Sequence, residues 1–505
     1  MKPHFFTLYI SLLFSGFIYS QGAPKREFRG AWIQVVNQNQ YAGISPTEME
    51  QYFTQMLDRL QACHINTLIF QVRPAADAFY HSAIEPWSRY LTGTQGKAPL
   101  GNFDPMAFLV EETHKRNMEF HAWLNPYRVT TSESDTLCPE HIYYQHPERF
   151  IKYGKQIYFD PGIPENRKHI CAVIKDIVSR YDVDAIHMDD YFYPYPISGK
   201  RFEDENSFNR YAHGQGFEPH QLGEWRRNNI NLLIAEIKHT IILTKPWVRF
   251  GVSPFGIYRN KRSTPDSSGS NTTGLQNYDN LYADVLLWTQ KGWVDYIIPQ
   301  LYWEIGHSAA DYDTLIRWWS EQKMNVQLYI GQDIVRTVKA ADSTDSQRNQ
   351  LPAKMLLART LSGIGGNCWW SGYNIIENTQ GIADSLGYNY QKYPALIPAY
   401  VHQHKKAPKD VKQLKAEWMP LGYVLHWQQN GSLENPENAQ YYVIYRFENR
   451  EKPNLTDPSK IVCITRETFY LLPYDSGKVK YKYVVTSVDR FHNETKKGKS
   501  KKVKL

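Results

Sequence analysis

The chain has 505 residues, 42% hydrophobic, 22% charged and 14% aromatic, with a formal charge of +7. That length and mixture exclude a single small module, a disordered chain and a coiled coil. A basic surplus raises nucleic-acid binding, but Lys496, Lys497, Lys499, Lys501, Lys502 and Lys504 crowd the last ten residues, and setting them aside leaves +1. The body is near neutral, so no nucleic-acid partner is expected. The lysines read as a solvated basic terminus, with envelope association through that tail as the alternative.

Lys2 and His4 precede the apolar run FFTLYISLLFSGFIY, which ends at Ser20. A charged start, an apolar core and a small residue at the cut define a signal peptide over residues 1–20. The run is shorter than the roughly 20 residues of a membrane span. The expectation is an exported protein, periplasmic or extracellular, with no membrane span. Five cysteines without a CxxC pair form neither a disulfide framework nor a zinc site. The Walker, GxGxxG and HExxH patterns are missing, so no metal and no cofactor are expected.

Eight apolar runs follow: Phe28–Val36, Asn66–Arg73, Glu119–Tyr127, Asp184–Tyr191, Arg249–Ile257, Asp295–Trp303, Asn325–Ile330 and Gly363–Trp370. Amphipathic segments separate them, at Pro46–Ala62, Pro105–Asn117, Ile163–Tyr181, Gly223–Leu243, Tyr278–Lys291, Asp311–Gln322 and Ser346–Leu361. Strands alternating with helices eight times predict an α/β fold, a (β/α)8 TIM barrel over residues 25–403. An open doubly wound sheet would carry a Gly-rich turn after its first strand, and Trp32-Ile33-Gln34 is not one. Long connections at 80–102, 129–162, 192–223 and 258–277 would build the active-site face.

Lys405-Lys406-Ala407-Pro408 reads as a linker. Beyond it YVLHWQQ, QYYVIYRFE, ETFYLLP and KYKYVVTSVDR alternate with period two and no helical pattern intervenes. Residues 408–505 therefore predict a small all-β, immunoglobulin-like sandwich. KVKYKYVVTSVDRFHNET resembles the late strand and turn of a fibronectin type III module, which would make Trp427 its core tryptophan and Tyr481 its corner tyrosine. The module reads as a spacer, with glycan or surface binding as the alternative.

In a barrel, the carboxyl ends of the strands face the site. The fourth run ends in Asp189, Asp190 and Tyr191, and adjacent acids closing an apolar strand are costly unless paired, hydrogen-bonded or used. The sixth ends in Tyr302, Trp303 and Glu304. Cleaving a glycosidic bond needs two carboxyl groups, one to protonate the leaving oxygen and one as nucleophile or base. Strands four and six can supply them, with Glu304 as the acid because its aromatic neighbours raise a carboxyl pKa. Candidate sugar contacts recur at the other strand ends: Trp32 and Gln34, Gln71 and Arg73, Asn125, Tyr127 and Arg128, Ser253, and Trp370. Aromatic rings meet sugar C–H faces and forked polar groups meet hydroxyls. Arg73 and Arg128 could instead neutralise Asp189 or Asp190.

EFRGAWIQVV, NTLIFQVRPAADAFYHSAIEPWSRYLTG, FHAWLNPYR, DAIHMDDYFYP, GVSPFGIYRN and WVDYIIPQLYW resemble the glycosyl-hydrolase-like 10 family of bacterial exported proteins, over roughly residues 26–390. The resemblance implies a barrel glycoside hydrolase acting on a bacterial envelope glycan such as peptidoglycan strands. It places Asp189 or Asp190 as nucleophile or base and Glu304 as acid/base. A non-catalytic glycan-binding barrel is the main alternative, and a polysaccharide lyase or deacetylase the third.

Overall fold

The computed structural model describes residues 23–339, 349–400 and 402–505. The expected signal peptide lies outside the described residues. Eight parallel strands close into a barrel: β1 (Phe28–Ile33), β2 (Thr67–Arg73), β3 (Glu119–Leu124), β4 (Ala185–Met188), β5 (Arg249–Val252), β6 (Tyr296–Ile297), β7 (Gln327–Asp333) and β8 (Ile364–Trp370). β1 through β5 are buried along their whole length, as strands covered on both faces must be. The sixth is shorter than its apolar run. Pro299 cannot donate to a ladder, and beyond Ile297 the chain keeps to its neighbours through isolated bridges at Gln300 and single backbone bonds at Ile298, Pro299 and Leu301.

The helices show how the sequence sets each layer. Helix Pro46–Ala62 opens on a capping box, in which Ser45 Oγ accepts from the Glu48 amide and the Glu48 carboxylate accepts from the Ser45 amide. It buries Met49, Phe53, Met56, Leu57 and Leu60 on one stripe against the barrel. Truncating Phe53, which is fully buried, to Ala would cost about 3–5 kcal/mol. Helices Pro164–Arg180 and Leu222–Thr244 bury a similar stripe but open without a side-chain cap. The expected helix at 278–291 instead breaks into Asn277–Asn280 and Val285–Lys291, with Asp284 capping the second piece.

Polar side chains run down the barrel axis. Trp32 Nε1 donates to His187 Nε2 at 3.2 Å, His187 Nδ1 meets the Tyr296 hydroxyl at 3.1 Å, and Tyr296 meets His121 Nδ1 at 2.8 Å. His121 Nε2 then reaches Glu119 at 3.0 Å. Gly251 makes this possible, because a Cβ there would fall 1.9 Å from the Tyr296 ring. Burial lowers the pKa of both His187 and His121, so neutral imidazoles relay these bonds.

The chain from 412 forms seven strands in two small antiparallel sheets. One holds β9 (Lys412–Met419), β10 (Gly422–Gln428) and β13 (Phe469–Leu471). The other holds β11 (Tyr441–Glu448), β12 (Ile461–Thr465), β14 (Lys480–Val488) and β15 (Lys499–Lys504). Trp427 and Leu425 from the first meet Tyr442, Ile444, Tyr483 and Val503 from the second in one core. Tyr481 lies half-buried with the Arg446 guanidinium over its ring. The lysine terminus is not a free tail: β15 pairs along β14, and Val503 and Leu505 anchor it in the core. Its buried positions are too few for the alternation to show in the sequence.

These sheets dock on the amino-terminal end of the barrel. His492, in the turn after β14, places Nε2 2.7 Å from the Glu119 carboxylate, which also pairs with Arg249. His492 Nδ1 and the Tyr441 hydroxyl lie 2.9 Å apart. Burial alone would raise the Glu119 pKa, but the charges of Arg249 and His492 hold it well below the carboxylate range. All five cysteines are free. Among the described residues no helix is long and apolar enough to cross a membrane.

Candidate active site

A cleft of about 650 Å³ opens at the carboxyl ends of the strands. Asp189 and Asp190 sit on its floor, one and two residues past β4, and both are buried. Strand alternation turns them to different partners. Asp189 faces β3, where Asn125 Nδ2 donates to its Oδ2 at 2.6 Å. Gln71 Nε2 and Arg128 Nη2 in turn donate to Asn125 Oδ1 at 2.7 and 2.8 Å, fixing the amide's orientation. Asp190 faces the β5–β6 side, where Gln300 Nε2 donates at 3.3 Å and the Tyr195 hydroxyl bonds its other oxygen.

The two carboxyls are electrostatically unlike. Burial raises the pKa of Asp189, but the Arg128 charge and the Asn125 bond oppose the rise. Among the described residues Asp190 has no cationic partner, and burial reinforced by the charge of Asp189 pushes it up to about 7. Both carboxyls are raised by burial, but only Asp189 has a cation opposing the rise, an asymmetry suited to the proton-donor and carboxylate roles of glycosidic cleavage.

Trp32, Trp123, Tyr191, Tyr195, Phe255, Tyr302, Trp303 and Trp370 wall the cleft, with Gln34, Gln71, Arg128, Ser253, Gln300 and Arg336 between them. Tyr302 and Trp370 lie nearly parallel with centroids 6.5 Å apart, and Trp123 meets Trp370 edge-on at 6.2 Å. Arg128 lies over the Tyr191 ring at 5.4 Å. Among the described residues Gln34 Oε1 is buried without a hydrogen-bond partner, an acceptor left for a ligand, while the Trp123 indole N–H is turned toward the Asp189 carboxyl and helps to lower its pKa. Among the described residues no cluster of His, Cys, Asp and Glu could hold a metal.

Three residues named from the sequence lie elsewhere. Arg73 is turned away by a β-bulge, because the β2–β3 register shifts between Gln71 and Arg73. Its guanidinium instead forks onto Glu85, with bonds of 2.7 and 2.6 Å. Tyr127 packs wholly inside the core where the chain bends beyond β3. Glu304 is half-buried and absent from the cleft lining. Its charge acts on Lys354 and Asp333 instead, and the Lys354 ammonium donates to the carbonyl of neighbouring Trp303 at 2.9 Å. Trp123, Tyr195, Gln300 and Arg336 escaped the sequence reading. Trp123 lies before the end of its strand, and the other three sit on segments beyond theirs.

Paired carboxyl groups between aromatic walls, at the carboxyl face of a (β/α)8 barrel, define a glycoside-hydrolase-like barrel protein. The chain belongs to the glycosyl hydrolase-like 10 family, whose model matches residues 27–349. Glycosyl hydrolase YngK of Bacillus subtilis is 41% identical over 503 residues, covering 97% of each chain. Glycosyl hydrolase DigH of Escherichia coli is 40% identical over 325 residues, 60% of this chain and 72% of DigH. Among solved structures, the PgaB (BpsB) glycoside hydrolase domain of Bordetella bronchiseptica is similar, with a TM-score of 0.49 and 12% identity, over 72% of this chain and 99% of that one.

Proposed function

We propose that the protein is an exported glycoside hydrolase that cleaves a glycosidic bond of a bacterial envelope glycan, with peptidoglycan strands as the leading substrate. The observation that carries this is the unequal pair at the cleft floor: burial and the charge of Asp189 push Asp190 up to about 7, while at Asp189 burial also raises the pKa but Arg128 and Asn125 oppose the rise. In this reading Asp190 donates the proton to the leaving oxygen. Asp189 supplies the carboxylate that meets positive charge developing at the anomeric carbon. Trp123, Tyr302 and Trp370 take the sugar faces, and Gln34 takes a hydroxyl or amide group. The proton donor thus moves from Glu304 to Asp190, because Glu304 does not line the cleft.

The test is release of reducing ends from purified sacculi and from chitin-type oligosaccharides. Wild type should release them and Asp190→Asn should lose about 10²–10⁴-fold in rate, while Glu304→Gln stays within about tenfold. Collapse in Glu304→Gln with activity in Asp190→Asn would reverse the assignment. Tight glycan binding without any reducing ends from wild type would favour a binding barrel.

A further inference from the structure

The net charge belongs to a face remote from the cleft. Residues 408–505 hold 18 of the chain's 58 basic side chains and 11 of its 51 acidic ones. That surplus of seven equals the surplus of the whole chain, so the first 407 residues are neutral. Pairing of β14 with β15 sets Lys480 directly opposite Lys504 and Lys482 opposite Lys502. Like charges directly opposite on a sheet destabilise it, and an ordinary solvated surface intersperses both signs. Lys480, Lys502 and Lys504 are exposed; Lys482 is half-buried and donates to the Glu451 carbonyl at 2.9 Å. At the other end of β15 a separate groove of about 570 Å³ is lined by Lys409, Lys412, Lys496, Lys497 and Lys499 against one acid, Asp410. Among the described residues none of Lys480, Lys482, Lys502 and Lys504 is in a salt bridge; the one bridge at their margin joins Lys460, which lies over the Phe447 ring opposite Lys482, to Glu451.

Alternate residues on a strand lie about 6.8 Å apart, and opposed side chains start about 5 Å apart. The face therefore presents two successive cross-strand lysine pairs, Lys480 with Lys504 and Lys482 with Lys502, a spacing suited to a chain with a repeated anionic group rather than to one compact anion. We propose that this lysine face binds a linear anionic glycan polymer carrying carboxylate or phosphodiester groups. The sheets dock through His492 at the barrel end opposite the cleft, so the bound polymer tethers the enzyme and leaves the cleft open.

The experiment compares the protein with the triple variant Lys480→Gln/Lys502→Gln/Lys504→Gln and with its Lys→Arg counterpart. The probes are polygalacturonate for carboxylate, inorganic polyphosphate for phosphate, neutral dextran, and phosphatidylglycerol vesicles. Wild type should bind one or both anionic polymers, less tightly as salt rises, and ignore dextran. Preference between the two polymers identifies the anionic group. The Gln variant should bind at least about tenfold more weakly and melt on the order of 1 °C higher, because the opposed charges are gone. The Arg variant should bind like wild type, and glycan hydrolysis should be unchanged in all three. Undiminished binding by the Gln variant, failure of both polymers to bind, or tighter binding to vesicles would overturn the proposal.

Discussion

The two ends of the barrel both bury carboxylates, and they do opposite things with them. At the amino-terminal end Glu119 is met by Arg249, His492 and His121, and its pKa is held far down. At the carboxyl end Asp190 has a tyrosine, a glutamine and a neighbouring aspartate, and its pKa is pushed up to about 7. Burial is similar at both sites. What differs is the supply of positive charge, so charge pairing rather than depth separates a structural acid from one available for proton transfer.

Breaking the lower cluster should have the largest effect on stability. Glu119→Gln strands the buried Arg249 cation, and chemical denaturation should show a loss of about 3–5 kcal/mol. Because His492 shares the same carboxylate, His492→Ala should loosen the docked sheets, detected as new proteolytic cuts near residue 405. Intact sheets in that variant would show that the contact is incidental.

The upper end should respond with the opposite sign. A carboxyl whose folded pKa lies above its unfolded value favours the native state only while protonated. Asp190 therefore costs stability as pH rises from about 4 to about 7. Asp190→Asn should accordingly be more stable than wild type at pH 8, on the order of 4 kcal/mol, and equal to it near pH 4. Equal stability at both pH values would mean that Asp190 is not raised.

The smallest change sharpens the comparison. The Tyr195 hydroxyl bonds the ionised form of Asp190 and lowers its pKa. Tyr195→Phe should move the alkaline limb of the rate profile upward by about half a pH unit, worth on the order of 1 kcal/mol. A downward shift would contradict the assigned direction.

Much of this was readable before the structure. Apolar runs alternating with amphipathic segments placed all eight barrel strands, and the Asp189-Asp190 ending marked the floor of the cleft. What escaped depends on departures from regular geometry. A single bulge after Gln71 turned Arg73 to Glu85, and a proline beyond Ile297 ended β6 before it could carry Glu304 to the cleft. Tyr195 and Arg336 lie past the strand ends, where no periodicity aims a side chain. The lysine strand β15 shows only Val503 and Leu505 buried, too little alternation to separate it from a solvated tail.

The most direct test of the unequal pair is the pH dependence of kcat/KM on a soluble glycan fragment. With Asp190 as the proton donor, the value should fall about tenfold per pH unit above roughly 7, and Tyr195→Phe should displace that fall to higher pH. A profile flat to pH 9, or a fall near pH 7 that persists in the residual activity of Asp190→Asn, would contradict it.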